Sequence, residues 1–276
     1  MFLAIRESIN KSKRKDCSMG KIIAIANQKG GVGKTTTSVN LSASLTTYGK
    51  NVLLIDYDPQ SSATTSLGIH RNLLKSTIDQ VLLGNKGIEE AIMSVEGFTL
   101  DIIPTTIELS NLANKIREKN VDEDYILREY LNRVKDKYDY ILIDCPPSLG
   151  FLTLSALYAA DSVLIPVQCQ FLAIDGLTQL LNTIRGVQKN LKVNQYKLSI
   201  EGVLLTMLDK RTKSGWQIVH ELKEYFREGV FKTIITSNVA AQIAPTYGVP
   251  VIKYNKNSPA AKLYKTLARE VIKNNE

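Results

Sequence analysis

The chain has 276 residues, 44% hydrophobic and 22% charged, with 16 glycines and 8 prolines, a balance that excludes collagen-like, disordered and low-complexity classes. No apolar run approaches the roughly 18 residues that a membrane-spanning helix needs. The net charge of +8 is uneven, with +3 in residues 1–20, −4 in 21–184 and +9 in 185–276, which suggests either contact with a polyanion or only a solvated lysine-rich surface.

Cys17, Cys145 and Cys169 form no CxxC pair, and His70 and His220 are the only histidines, so neither a disulfide framework nor a structural zinc site is expected. The apolar stretch at the start precedes its basic residues, the reverse of a secretory signal. A cytoplasmic location is expected.

From residue 20 onward, short β-branched apolar runs alternate with longer stretches of helical periodicity. Strands are expected at Ile22 to Ala26, Val52 to Ile55, Leu100 to Ile103, Tyr140 to Ile143, Val163 to Val167 and Val203 to Met207, with further candidates at Thr233 to Ile235 and Pro250 to Ile252. Most are nearly continuous apolar runs, as in parallel strands covered on both faces. Helix-length stretches lie between them, such as Thr35 to Tyr48, closed by Gly49, and Asp124 to Asp136. The alternation predicts an α/β fold, a mostly parallel twisted sheet with helices on both faces, spanning residues 19–276 as one domain. Ligands of such sheets bind at the carboxyl ends of the strands. Residues 1–18 read as a basic, disordered extension.

The first strand runs into Gln28, Lys29, Gly30, Gly31, Val32, Gly33, Lys34, Thr35 and Thr36, and a helix follows. Strand, glycine-rich turn and helix in that order suit a phosphate-binding loop. Glycines 30, 31 and 33 permit backbone conformations closed to other residues, so that their N–H groups can turn around a phosphate. The helix adds its positive end. Lys34 would reach the outer phosphates of a nucleotide, and the Thr35 hydroxyl would ligate Mg²⁺. Gln28 stands where the standard pattern has glycine, and Lys29 is an additional cation. Two carboxylate signals follow apolar strands: Leu53 to Gln60, with Asp56 and Asp58 two residues apart, and Tyr140 to Pro147, where the strand ends in Asp144, placed to hold Mg²⁺ through its water shell.

The string KGGVGKTT resembles the deviant Walker A motif of the ParA/MinD family of phosphate-loop (P-loop) ATPases. The resemblance implies that Lys29 reaches the phosphates of a partner subunit in an ATP-bound sandwich homodimer, and that catalysis involves Lys29, Lys34 and Asp58. Asp56 and Asp58 lie in a segment resembling the family's DxDPQ switch I; Asp58 would orient the attacking water and Asp56 would support the metal shell. Pro146 and Pro147 would shape switch II. Nucleotide contacts are expected from Lys29 to Thr36 and, by resemblance, from Met207, Asn238 and Pro245 around the adenine.

The segments VLLIDYDPQSSATTSLG, YDYILIDCPPSLG, GVLLTMLDKRT and YGVPV are most similar to the chromosome-partitioning ParA/Soj branch. That branch implies non-specific DNA binding, nucleoid association, slow intrinsic ATP hydrolysis and stimulation by a ParB-type centromere-binding protein. Lys210, Arg211 and Lys213 are the DNA candidates, followed more loosely by Lys223, Arg227, Lys232 and Lys253. Where Soj proteins usually read PRNVRLSEAPSHGKP, this chain has Ser237 and Ala240 in place of the two arginines. Met19-Gly20-Lys21 resembles the usual family start, so residues 1–18 are either upstream of the true start or a basic tail whose Arg6, Lys11, Lys13, Arg14 and Lys15 touch DNA.

Three alternatives stand beside this reading. A MinD-like protein would carry a membrane-targeting helix at its end; Ala260 to Lys273 has Leu263, Leu267, Val271 and Ile272 at helical spacing, and is read instead as a packed terminal helix without a stable membrane anchor. An iron–sulfur relative would need ligand-spaced cysteines, which Cys145 and Cys169 do not provide. A metabolic kinase would be expected to show arginines near the switch regions, and none lies between Lys29 and His70.

Overall fold

The computed structural model describes residues 20–118, 124–170, 175–193 and 196–276; the N-terminal extension lies outside them. Seven strands form one sheet: β1 (Lys21–Ile25), β2 (Val52–Asp56), β3 (Met93–Ser94), β4 (Leu100–Ile103), β5 (Tyr140–Asp144), β6 (Ser162–Gln168) and β7 (Ser199–Thr206). Their order is β3-β4-β2-β5-β1-β6-β7, and every pairing is parallel except β3 with β4. The chain leaves central β1 for one side of the sheet and returns to its other side at β6. The crevice of the sheet therefore opens where β1 ends.

The α-helices in chain order are α1 (Lys34–Thr46), α2 (Ser62–Ser66), α3 (Ile78–Leu82), α4 (Ile88–Ala91), α5 (Leu112–Glu118), α6 (Ile126–Asn132), α7 (Phe151–Ala159), α8 (Asp175–Val193), α9 (Lys213–Phe226), α10 (Val239–Ile243), α11 (Val251–Tyr254) and α12 (Pro259–Asn275). Side chains alternate along each strand. Ile22, Ala24, Leu53, Ile55, Ile141 and Ile143 join the core layer shared with α6, α7 and α8. Ile23, Ile25, Leu54, Leu142 and Leu164 join the layer shared with α1 and α12. Each fully buried Ile or Leu contributes roughly 1.5–3 kcal/mol, so two-sided burial explains the nearly unbroken apolar runs of the central strands.

The terminal helix packs as expected. Tyr264, Leu267, Ala268 and Val271 are buried, with Leu263 and Ile272 half-buried beside them. Ser258 caps it by accepting from the Ala261 N–H, and Pro259 occupies its first turn.

Two expected strands are absent. The Thr233 to Ile235 stretch runs beside β7, with Ile235 N–H donating to Leu205 O (2.9 Å), but forms no ladder; isolated bridges flank it, joining Val230 to Val203 and Thr236 to Leu208. A side chain competes for its ladder: the Glu270 carboxylate accepts from the N–H groups of Lys232 (2.6 Å) and Thr233 (3.0 Å). Pro250 to Ile252 enters helix α11, in which Tyr254 N–H donates back to Pro250 O (3.0 Å) and Val251 N–H donates to Asn40 Oδ1 (2.7 Å). Strand β7 begins at Ser199 rather than Val203, because a bulge opposite Val163 and Leu164 interrupts its alternation. The two-residue edge strand β3 had no sequence signal.

Candidate nucleotide site

The loop between β1 and α1 sits at the carboxyl edge of the sheet. Gly31 (φ 74°) and Gly33 (φ 89°) adopt the left-handed region that side chains disfavour. Gly30 does not: its φ is ordinary, and a Cβ there would meet nothing within 4 Å. Only two of the three glycines are thus required by backbone conformation. Gly33 caps α1 without a side chain, which leaves the first N–H groups of a 13-residue helix free for an anion.

Two residues outside the glycine string hold this loop in place, Asn27, which the sequence did not single out, and Thr206, which resemblance put near the adenine. Asn27 donates to Pro166 O (2.7 Å) and accepts from the Lys29 N–H (3.0 Å). Thr206, the last residue of β7, donates its hydroxyl to Val32 O (2.8 Å). Lys34 folds back so that its ammonium donates to Lys29 O (3.1 Å). Burial lowers the Lys34 pKa, against the opposing pull of Asp144, Cys145 and Asp58. The Lys29 side chain is exposed and has no ion pair among the described residues.

Strand register places two of the predicted carboxylates together, because Asp56 and Asp144 are direct partners on β2 and β5. Both are fully buried. Asp144 Oδ1 accepts from Ser38 (2.8 Å), while Oδ2 has no hydrogen-bond partner. Burial, reinforced by the charge of Asp56, raises the Asp144 pKa to about 7, against the Thr35 and Ser38 hydroxyls that pull it down. Asp56 is raised to about 6, again chiefly by burial. Its oxygens are taken: Oδ2 accepts from the Thr64 N–H (2.7 Å) and hydroxyl (2.6 Å), and Oδ1 faces the Asp58 N–H at 3.4 Å. Asp56 therefore fixes the start of the segment carrying Asp58. Asp58 lies at the site's edge, where Oδ1 accepts from the Gln60 N–H (3.0 Å).

A cavity of about 320 Å³ adjoins the loop, lined by Gly33, Thr36, Met207, Asn238, Pro245 and Tyr264 among others. The expected adenine contacts Met207, Asn238 and Pro245 share this one space, although Met207 follows β7 while Asn238 and Pro245 stand on either side of α10. Met207 has φ 55°, a strained conformation for a residue with a side chain, and its Cε lies over Gly33, 3.5 Å from where a Cβ would stand. Tyr264, whose hydroxyl is 3.4 Å from Thr37 Oγ1, is a lining residue that the sequence did not single out. Gly68 and Gly248, both with positive φ, meet backbone to backbone, and a Cβ on Gly248 would stand 2.5 Å from Gly68 Cα. That contact joins the segment after Asp58 to the cavity loop.

The basic candidates lie elsewhere. Lys210, Arg211 and Lys213 are on the surface after β7, but Arg211 is already committed to a fork on Asp209, with contacts of 2.9 and 2.8 Å. That guanidinium holds the Asp209 carboxyl at about 2. Cys145 and Cys169 are buried free thiols, each with its pKa raised by burial. Among the described residues no group of three or more His, Cys, Asp or Glu could hold a metal.

A parallel sheet that gathers a glycine-bent loop, a free helix N-terminus and two buried carboxylates at one edge defines a P-loop nucleoside triphosphatase. The AAA domain family matches residues 20–200. The sporulation initiation inhibitor protein Soj of Bacillus subtilis is 50% identical over 256 residues, which are 93% of this chain and 100% of that protein. The chromosome partitioning protein ParA of Myxococcus xanthus is 43% identical over 256 residues, 93% of this chain and 89% of that protein. The solved structure of cobyrinic acid a,c-diamide synthase from Mycobacterium smegmatis, with bound ADP and magnesium, superposes with a TM-score of 0.79 at 32% identity, covering 92% of this chain and 95% of that one. The chain belongs to the ParA/Soj family of chromosome-partitioning ATPases.

Proposed function

We propose that this ATPase is a nucleotide-gated switch on DNA: two copies close around ATP, the closed dimer binds duplex DNA without sequence preference, and hydrolysis releases it. ATP with Mg²⁺ is the cofactor pair. The donor set fits a hard cation, since the partnerless Asp144 Oδ2 lies in the same site as the Thr35 hydroxyl. Thr35 and Asp144 would hold the ion, with Asp56 behind them. When bound, Mg²⁺ neutralises charge on the phosphates.

The loop N–H groups from Gly30 to Thr36 cradle the phosphates, Lys34 neutralises the outer ones, and Met207, Asn238 and Pro245 enclose the base. Asp58 accepts a hydrogen bond from the water that attacks the terminal phosphorus, and ADP leaves with the bond electrons. Hydrolysis works as a timer, slow alone and faster with a ParB-type centromere-binding partner. DNA binding places the protein on the nucleoid. The packing of the apolar face of α12 against α1 favours the DNA reading over a membrane-surface helix.

The observation that carries this reading is Lys29. Its backbone is fixed by Asn27 and by Lys34, while its ammonium is exposed beside Gly30 and Gly31, where a Cβ would meet nothing within 4 Å. A second cation presented from an open, rigid loop suits the phosphates of a second copy, in the manner of an arginine finger. Sedimentation with ATP, comparing the intact protein with Lys29→Ala, tests it. ATP-dependent dimers that disappear in the variant while nucleotide binding persists are expected; dimers of equal strength in both would overturn it.

A further inference from the structure

We propose that the exposed face of α12 is a binding track for the phosphates of duplex DNA, an inference that rests on the DNA reading above and gives it a surface. The solvent-exposed residues of α12 between Lys262 and Lys273 are Lys262, Lys265, Thr266, Arg269 and Lys273, four cations and one hydroxyl. At 100° per residue they fall within an arc of about 100°, so they form one stripe. It runs about 16 Å along the helix at 1.5 Å per residue, a length that covers about five phosphates of one DNA strand.

The stripe's cations are unneutralised, whereas several basic side chains elsewhere are held by carboxylates. Lys21 pairs with Glu201, Lys135 and Arg128 with Asp161, Lys253 lies near Glu96, and Arg211 is forked on Asp209. None of the four α12 cations has an ion pair among the described residues. The acid within this stretch, Glu270, points away from them, its oxygens occupied by the backbone of Lys232 and Thr233 and by the Thr233 hydroxyl. The opposite face of α12 is locked into the core by Tyr264, Leu267, Ala268 and Val271, so the charges sit on a rigid support. A membrane-surface helix needs a free apolar face, and this helix has none to offer. The stripe also supplies cations in a chain whose Ser237 and Ala240 replace two arginines.

The test is ATP-dependent binding to a random-sequence duplex across a salt series, comparing the intact protein with a variant carrying Lys262→Gln, Lys265→Gln, Arg269→Gln and Lys273→Gln. Neutralised phosphates set the salt slope at about 0.9 per contact, so the variant's slope should be shallower by about 3–4 for each engaged protomer. A companion variant with Lys262→Arg, Lys265→Arg and Lys273→Arg should keep the intact slope, and both should keep ATP turnover and dimerisation. Single substitutions, each lowering the slope by about 0.9, provide the same answer should the fourfold variant fold poorly. An unchanged slope in a protein that still binds DNA overturns the track and leaves the DNA reading standing. No binding by the intact protein with ATP overturns both. Loss of binding to anionic vesicles, with DNA binding unaffected, would reassign the stripe to a membrane surface.

Discussion

Replacing Asp144 with asparagine separates the fold's interest from the site's. Asp144 is fully buried, one of its oxygens has no hydrogen-bond partner, and burial pushes its pKa up to about 7 from the ordinary 3.8. Because the folded pKa lies above the unfolded one, the folded state binds the extra proton between about pH 4 and 7, and stability falls as pH rises through that window. A shift of this size costs roughly 4 kcal/mol of stability once the group is ionised, at 1.36 kcal/mol per unit. Between about pH 6 and 7.5 the share lost is about 1 kcal/mol, a few degrees of melting temperature for a chain of this size.

In the absence of nucleotide and magnesium, the intact protein is therefore expected to melt higher at about pH 6 than at about pH 7.5, with Asp56 acting in the same direction. Asp144→Asn should melt higher than the intact protein at neutral pH and show a flatter pH profile, with a gain below the 4 kcal/mol ceiling because its amide leaves N–H groups to satisfy. The same variant should lose magnesium-dependent ATP binding, measured by calorimetric titration, a stability gain at a functional site's expense. A variant that melts lower, with the pH profile unaltered, would refute the claim that this carboxylate is held against its preference.

Thr206→Val removes the hydroxyl that donates to Val32 O and should weaken ATP binding about tenfold through a loosened loop, at a cost of about 1–3 kcal/mol; unchanged affinity would show that the loop holds itself. Gly248→Ala adds a Cβ 2.5 Å from Gly68 Cα at φ 64°, and is expected to lower urea-measured stability by more than about 2 kcal/mol, while Gly30→Ala leaves stability nearly unchanged because nothing lies within 4 Å of the new atom. Leu267→Ala, at a fully buried position on α12, should cost about 2–5 kcal/mol; a smaller loss would mean the helix is only loosely seated. Asp209→Asn frees Arg211 from its fork and should steepen the salt slope of DNA binding by about 0.9 if Arg211 then meets a phosphate; no change would remove Arg211 from the DNA surface.

Much of the site could be read from the chain because its signals are local. The apolar runs of β1, β2 and β5, the glycines bending the loop into α1, and the aspartates ending β2 and β5 each depend on residues a few positions apart, where periodicity and backbone sterics act directly. The same locality explains the misreadings. Thr233 to Ile235 has strand-like composition, but Glu270, 37 residues away from Thr233, takes the N–H groups a ladder would use. Pro250 to Ile252 is apolar, yet its backbone turns into α11 against Asn40. Gly30 belongs to a glycine-rich string, and only the folded backbone distinguishes it from Gly31 and Gly33.

Tertiary structure alone decided which distant groups meet. It joined Thr206 to Val32, Asn27 to Pro166, and Gly68 to Gly248, and it closed a cavity from Gly33, Met207, Asn238 and Tyr264. It also sorted the cations, neutralising Arg211 on Asp209 while leaving the α12 stripe unpaired. Sequence by itself determines local conformation and the chemistry available at each strand end, since those follow from neighbouring residues. Partnership across the fold follows from how whole layers pack and where side chains a hundred or more positions apart come to rest, which no short-range pattern encodes.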